Sequence, residues 1–140
     1  MPNEDCLFCQ IIKGDVPANK VYEDDDVVAF LDIRPVAPCH TLIVPKKHSM
    51  NMLDTDEDTL KDMIAATKRI SRAILNVMGL EAFNLELNNG RIAGQIVPHL
   101  HWHIIPRTAD DGLKHWPGLR YEEGEAEDLA ARVSDEMANL

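Results

Sequence analysis

The chain has 140 residues, 45% of them hydrophobic, and a formal net charge of -10 at neutral pH. That length suits a single domain spanning 1–140 with a real core, and the charge argues against generic binding to nucleic acid or an anionic membrane. No apolar run approaches the roughly 20 residues that span a bilayer, and the opening stretch MPNEDCLFCQ is acidic and polar, unlike a secretory leader, so a cytoplasmic protein is expected.

Two of the three cysteines form Cys6-x-x-Cys9. In a reducing compartment that spacing points to a metal site or redox chemistry before a structural disulfide. Residues 19–23 (NKVYE) and 27–33 (VVAFLDI) flank the acidic run Asp24-Asp25-Asp26 and predict a hairpin. After a break at Pro35, Pro38 and Cys39, residues 40–44 (HTLIV) read as a third strand closed by Pro45. Thr55–Met78 is the clearest helix, with Leu60, Met63, Ile64, Thr67, Ile70, Ile74, Val77 and Met78 at three- and four-residue spacing. Thr55 with Asp58 reads as its capping box and Gly79 as its stop. Residues 83–88 (FNLELN) alternate, with Phe83, Leu85 and Leu87 on one face and Asn84, Glu86 and Asn88 on the other. Asn89-Gly90 opens a loop that includes Gly94. Ala126, Leu129, Val133 and Met137 predict a helix over 125–140. This order predicts an α+β fold: an antiparallel sheet of about five strands, a long helix and a C-terminal helix, with helices packed on one face.

Between those last elements lies VPHLHWHIIPR, residues 97–107. On a strand, His99, His101 and His103 share one face, about 7 Å apart, and Leu100, Trp102 and Ile104 take the other, where the long helix can cover them. If this strand pairs antiparallel with FNLELN, Asn88 and Glu86 fall on the histidine side. Three histidines on one face leave three readings: a solvated surface, a metal ladder, or a catalytic row that works near neutral pH.

His99-Leu100-His101-Trp102-His103-Ile104-Ile105 resembles the H-φ-H-φ-H-φ-φ motif (φ apolar) of the histidine triad (HIT) family of nucleotide hydrolases and transferases, and Gly94-Gln95 stands where that family carries a G-Q pair. CLFCQIIKGDVPANKVYED (6–24), LDIRPVAPCHTLIVPKKH (31–48) and LNNGRIAGQ (87–95) resemble it too, together covering most of residues 6–107. The likeness is to the nucleotide phosphoramidase and dinucleoside polyphosphate hydrolase branches. Residues 108–140 form a less diagnostic tail.

The resemblance implies a HIT-like fold and a residue-by-residue assignment. His101 is the nucleophile that forms a nucleotidyl-histidine intermediate, and His103 donates to phosphate oxygens. Asn88 lies near the phosphate and leaving group. Gly94, Gln95, Ile96 and Val97 form the phosphate loop, Asp32 and Ile33 contact the nucleoside, and His40 belongs to the polar network behind the row. Relatives with an N-terminal CxxC bind a structural zinc, which assigns Cys6, Cys9, His48 and His99 as ligands. No catalytic metal or organic cofactor is implied. Substrates would be adenosine phosphoramidates, aminoacyl-adenylates or dinucleoside polyphosphates, a purine nucleotide being the partner, and a homodimer would join two sheets. The tail, with Trp116 and Tyr121, would shape leaving-group preference. The chain departs from the pattern at three places. Ile96 stands where Ser or Thr is common, Cys39 where Gly is common, and Pro98 where a bulky residue is common; lacking an N–H, Pro98 requires the sheet ladder to begin after it or to present an edge there. Cys39 is expected to be a buried small residue and no ligand. Taken alone, Asp32 could simply cap a turn before Arg34-Pro35, and Asn88-Asn89-Gly90 could be turn chemistry. A non-catalytic nucleotide- or partner-binding module is the alternative function, and a metallohydrolase with three histidine ligands a third.

Overall fold

A computed structural model describes residues 4–140. Its elements are α1 (Leu7–Lys13), β1 (Lys20–Glu23), β2 (Val27–Leu31), β3 (Thr41–Pro45), α2 (Glu57–Met78), β4 (Ala82–Leu87), β5 (Trp102–Arg107) and α3 (Glu125–Met137), with single 3-10 turns at Met52–Asp54 and Arg91–Ala93. The strands form one antiparallel sheet in the order β1-β2-β3-β5-β4. The acidic run closes the first hairpin: Asp24 Oδ1 accepts the N–H groups of Asp26 and Val27, both at 2.8 Å.

Alternation along the central strands sorts the core into two layers. Val27, Ala29, Ile43, Leu100, Trp102 and Ile104 pack with Met63, Ala66, Ile70 and Ile74 of α2. The intervening residues Val28, Phe30, Leu42 and Val44 pack instead with Phe8, Cys9 and Ile11 of α1. A hydrogen-bond relay ties α2 to β5: Trp102 Nε1–H donates to Thr67 Oγ1 at 2.8 Å, and that hydroxyl donates to the Met63 carbonyl at 2.7 Å.

The five-strand sheet, the long helix and the terminal helix match expectation. Several details differ. Helix α1 was not anticipated, and it covers the opposite face of the sheet from α2, so helices do not pack on one face alone. Its signal lay in Phe8, Ile11 and Ile12 at helical spacing and in Gly14, which ends the helix at φ 89°. The N-cap of α2 is Asp56, which accepts from the Thr59 N–H. Thr55 is unavailable because its hydroxyl donates to the Asn51 carbonyl and meets Ser49 Oγ. The reciprocal capping box belongs to Asn51 and Asp54 at the preceding turn. The ladder of the histidine segment starts only at Trp102, because Pro98 has no N–H to give and the Leu100 N–H goes to the Ser49 carbonyl at 2.9 Å.

Cys39 is half-buried against the α2 layer. Among the described residues it is the one non-glycine at positive φ, 68°. An L side chain there costs about 1–2 kcal/mol, partly offset in glycine by the greater entropy of its unfolded chain. Cys39→Gly is therefore expected to stabilise the fold by about 0.5–1 kcal/mol. Urea unfolding followed by tryptophan fluorescence measures it, and a loss of more than that amount would show the thiol's packing to outweigh the strain.

Candidate active site

His103 projects from β5 on the α1 side of the sheet: its register partners are Glu86 on β4 and Leu42 on β3, and Leu42 lies in the α1 layer. His99 and His101 precede the ladder, yet all three rings gather there. The His101 and His103 rings lie 5.2 Å apart, and Phe8 of α1 meets His101 edge-on at 4.9 Å. Phe8 is a site residue that the motif reading did not include.

Backbone groups set which nitrogen of each ring carries hydrogen. The His99 carbonyl can only accept, so His101 Nδ1–H donates to it at 2.7 Å and Nε2 is left with a lone pair. The Val36 N–H donates to His40 Nδ1 at 3.1 Å, which places the hydrogen of His40 on Nε2. That Nε2–H faces His103 Nδ1 at 2.9 Å, so His103 carries its own hydrogen on Nε2. Burial holds the pKa of His40, His101 and His103 below the ordinary imidazole value, which keeps these rings neutral near pH 7. The site thus pairs an unprotonated ring nitrogen on His101 with an N–H donor on His103.

The nucleoside and phosphate candidates divide into groups with different local roles. Asp32 Oδ1 accepts the Arg34 N–H at 2.8 Å, and Oδ2 lies 3.6 Å from His40 Nε2. The carboxylate both caps the turn and joins the histidine network. Ile33 is exposed at 86%. Gly94 adopts φ 101°, and a Cβ there would sit 3.4 Å from Asn88 Nδ2, so glycine lets the loop close against Asn88. Gln95 is buried with its amide occupied within the loop. Its Oε1 accepts the Gly90 N–H, and its Nε2 donates to the Met50 and Val97 carbonyls. The side chain therefore shapes the loop. Ile96 points outward, 91% exposed, while Val97 packs against the α1 layer.

Beside this row, Cys6 Sγ, Cys9 Sγ, His48 Nδ1 and His99 Nδ1 all lie within 4.8 Å of one another. His99 Nδ1 is 3.3 Å from Cys6 Sγ, 3.6 Å from Cys9 Sγ and 3.1 Å from His48 Nδ1, and Cys9 Sγ is 3.4 Å from His48 Nδ1. Ordinary zinc–sulfur and zinc–nitrogen bonds give a tetrahedron with edges of about 3.3–3.8 Å, so the donor set fits that ion. His99 Nε2–H donates to the Pro45 carbonyl at 2.8 Å, which turns the Nδ1 lone pair toward the other three donors. A second group, Asp32, His40 and His103, also lies close together, but the hydrogen bonds above already engage both nitrogens of His40.

Two predictions follow from the His40 relay. His40→Gln removes the partner that orients His103 and should lower turnover about 10- to 100-fold with little change in KM; an unchanged kcat would show that His103 orients itself. The second concerns pH. His40 and His103 bind a proton less readily folded than unfolded. Their contribution to stability is thus complete above the unfolded value of about 6.5 and is lost below it, as pH falls through the lower folded values. Urea unfolding across pH 5–8 should show stability rising with pH, with a shallower slope in His40→Gln; identical slopes would remove His40 from the account.

Residues 13–110 match the HIT domain family. The adenosine 5'-monophosphoramidase of Schizosaccharomyces pombe is 37% identical over 134 residues, covering 94% of this chain and 98% of that protein. Among solved structures, one from Streptococcus mutans has a TM-score of 0.91 at 37% identity, covering 96% of this chain and 87% of that one. A zinc-bound histidine triad family protein from Mycobacterium smegmatis has a TM-score of 0.75 at 36% identity, covering 96% and 97%. Sequence and backbone thus lead to the same place as the histidine row itself, and the chain belongs to the HIT family.

Proposed function

We propose that the protein hydrolyses nucleoside 5'-phosphate derivatives through a nucleotidyl-His101 intermediate and releases a nucleoside monophosphate. The observation that carries this reading is the pairing of a lone pair on His101 Nε2 with an N–H on His103 Nε2, each set by hydrogen bonds at the opposite nitrogen. His101 Nε2 attacks the α-phosphorus, and the bond to the leaving group breaks. Water then cleaves the new P–N bond and returns His101 to its starting state. The His103 N–H donates to the phosphate oxygens where charge gathers, usually the largest single contribution to such a step. Asn88 and the backbone of Gly94–Val97 hold the phosphate from the loop side. Asp32 accepts from the ribose hydroxyls and Ile33 packs on the base.

Adenosine phosphoramidates lead the substrate list, in keeping with the named activity of the Schizosaccharomyces pombe relative; aminoacyl-adenylates and dinucleoside polyphosphates share the same α-phosphorus chemistry. A cavity of about 660 Å³ lined by Val36, Glu86, Arg107, Lys114, His115 and Trp116 supports a role for the tail in leaving-group choice.

The Cys6, Cys9, His48 and His99 donors are assigned to a structural zinc. Four protein ligands would leave no position for a reacting water, so the ion would pin α1 and its Phe8 against the row. A homodimer joining two sheets is supported by β4, an edge strand with Phe83 and Leu85 exposed. No described helix is long and apolar enough to cross a membrane, and a cytoplasmic, single-domain protein with its site in residues 6–107 completes the reading.

The test is AMP release from an adenosine phosphoramidate with and without chelator, followed by acid quench to trap nucleotidyl-protein. Turnover insensitive to chelator, with a trapped adduct, is expected. AMP affinity without turnover would replace this reading with a binding module, and chelator-sensitive turnover without an adduct would replace it with a metallohydrolase.

A further inference from the structure

Glu86 is a half-buried carboxylate on β4, directly across the ladder from His103. Cross-strand neighbours of this kind hold their Cβ atoms about 4.5–5.5 Å apart. Its charge reaches the relay: burial lowers the pKa of His40 and of His103, and at both rings Glu86 opposes that shift. Yet among the described residues its side chain makes no hydrogen bond and no ion pair. Its neighbours on the same face are engaged, since Asn84 accepts from Arg107 and Asp111 takes the same guanidinium on both oxygens.

A carboxylate drawn partly out of water is costly until a cation or a donor pairs with it. Displacement at phosphorus is in line, so the leaving group departs on the far side of the phosphorus from His101. Along β5 the face that carries His103 continues to Ile105 and Arg107. The cavity of about 660 Å³ lies over that continuation: Ile105, Arg107 and Glu86 line it together with Val36, whose N–H holds His40. A leaving group that passes His103 therefore enters the cavity at Glu86. The other charges there do not cancel it. Arg107 is neutralised by Asp111, and Lys114 and His115 stand exposed on the tail, where water and salt screen them. Asp32, at the His40 end of the relay, carries the same sign as Glu86.

We propose that Glu86 is a specificity-determining residue of this site: its carboxylate receives an ammonium group carried by the leaving group, a few bonds beyond the one that breaks. The substrate class so selected is a nucleoside phosphate derivative whose leaving group is cationic near the reacting atom. A phosphoramidate of a diamine fits it, as does an aminoacyl-adenylate with its free α-ammonium. Dinucleoside polyphosphates are disfavoured, because their leaving group brings negative charge to the same carboxylate. This rests on the catalytic reading above and orders its substrate classes.

A matched pair of adenosine phosphoramidates tests it, one made from ethylenediamine and one from propylamine, equal in length and differing in the terminal charge. The quantity read is the ratio of kcat/KM for the cationic over the neutral member. Intrinsic differences in leaving-group reactivity cancel when wild type is compared with Glu86→Gln, which keeps the shape and loses the charge. The ratio should fall about tenfold in that variant, chiefly through KM of the cationic member, as the loss of one charge-assisted hydrogen bond requires. The ratio for a dinucleoside triphosphate over the neutral amine should rise. Ratios unmoved by the substitution would overturn the proposal, and so would equal losses on every substrate, which is what a merely structural role produces. Equilibrium binding of the amine pair to His101→Ala, with and without Glu86→Gln, keeps the two readings apart. A charge preference in binding that vanishes with Glu86→Gln, in a protein whose wild type shows no turnover, would remove the nucleophile and leave the subsite standing. Turnover with no such preference would remove the subsite alone.

Discussion

His101→Ala should lower AMP release from an adenosine phosphoramidate by about 10⁴-fold or more and abolish the trapped adduct. The size follows from the role. If His101 Nε2 forms the bond to phosphorus, no neighbouring group replaces it: His103 Nδ1 faces His40 and His99 Nδ1 faces the cysteines. What remains is the charge stabilisation from the loop and from His103, so AMP should still bind. The substitution removes a buried ring in contact with Phe8 and one hydrogen bond, a cost of about 1–3 kcal/mol in stability, so a folding control by circular dichroism accompanies the kinetics. Activity within about tenfold of wild type in a folded variant would rule out the nucleophile assignment.

The second large effect concerns the metal group. Cys9→Ser should reduce bound zinc from about one ion per chain to a trace and lower the free energy of unfolding by about 3 kcal/mol or more. Cys9 is 1% exposed and sits within 3.6 Å of both ring nitrogens in the set, so its loss removes one corner of the four-donor cage. The effect should concentrate where α1 meets the sheet. Amides near Phe8 and Ile11 should exchange faster, and proteolysis should begin ahead of Lys20. Activity should fall only as far as α1 loosens around His101, and that partial loss separates a structural ion from a catalytic one. Full zinc occupancy with unchanged stability in the variant would disprove the ligand assignment.

Particular residues show where reading from sequence succeeds and where it stops. The alternation of Leu100, Trp102 and Ile104 with the histidines was legible because strand side chains have a period of two, and the register of Glu86 opposite His103 bears out the face predicted for it. Gly79 as the stop of α2 was equally legible from its place after the last periodic residue. The cap of α2 was not, because Thr55 and Asp56 are both good caps and the choice fell to Ser49 and Asn51, which draw the Thr55 hydroxyl away. Helix α1 escaped because its seven residues give too little periodicity to count. Gln95, assigned to the phosphate loop by motif alone, turns out to spend its side chain on holding that loop's shape.

By itself the sequence determined the strands, the long helix and the sidedness of the histidine row, since these rest on local spacing. The tertiary structure decided which nitrogen of each ring holds hydrogen. That depends on carbonyls and amides delivered by other segments: the Pro45 carbonyl to His99, and the Val36 N–H through His40 to His103. It also decided that Cys6 and Cys9 meet His48 and His99, residues as much as 93 positions apart. A hydrogen bond is set by distance and direction in space, which chain spacing does not encode once the partners lie on different elements.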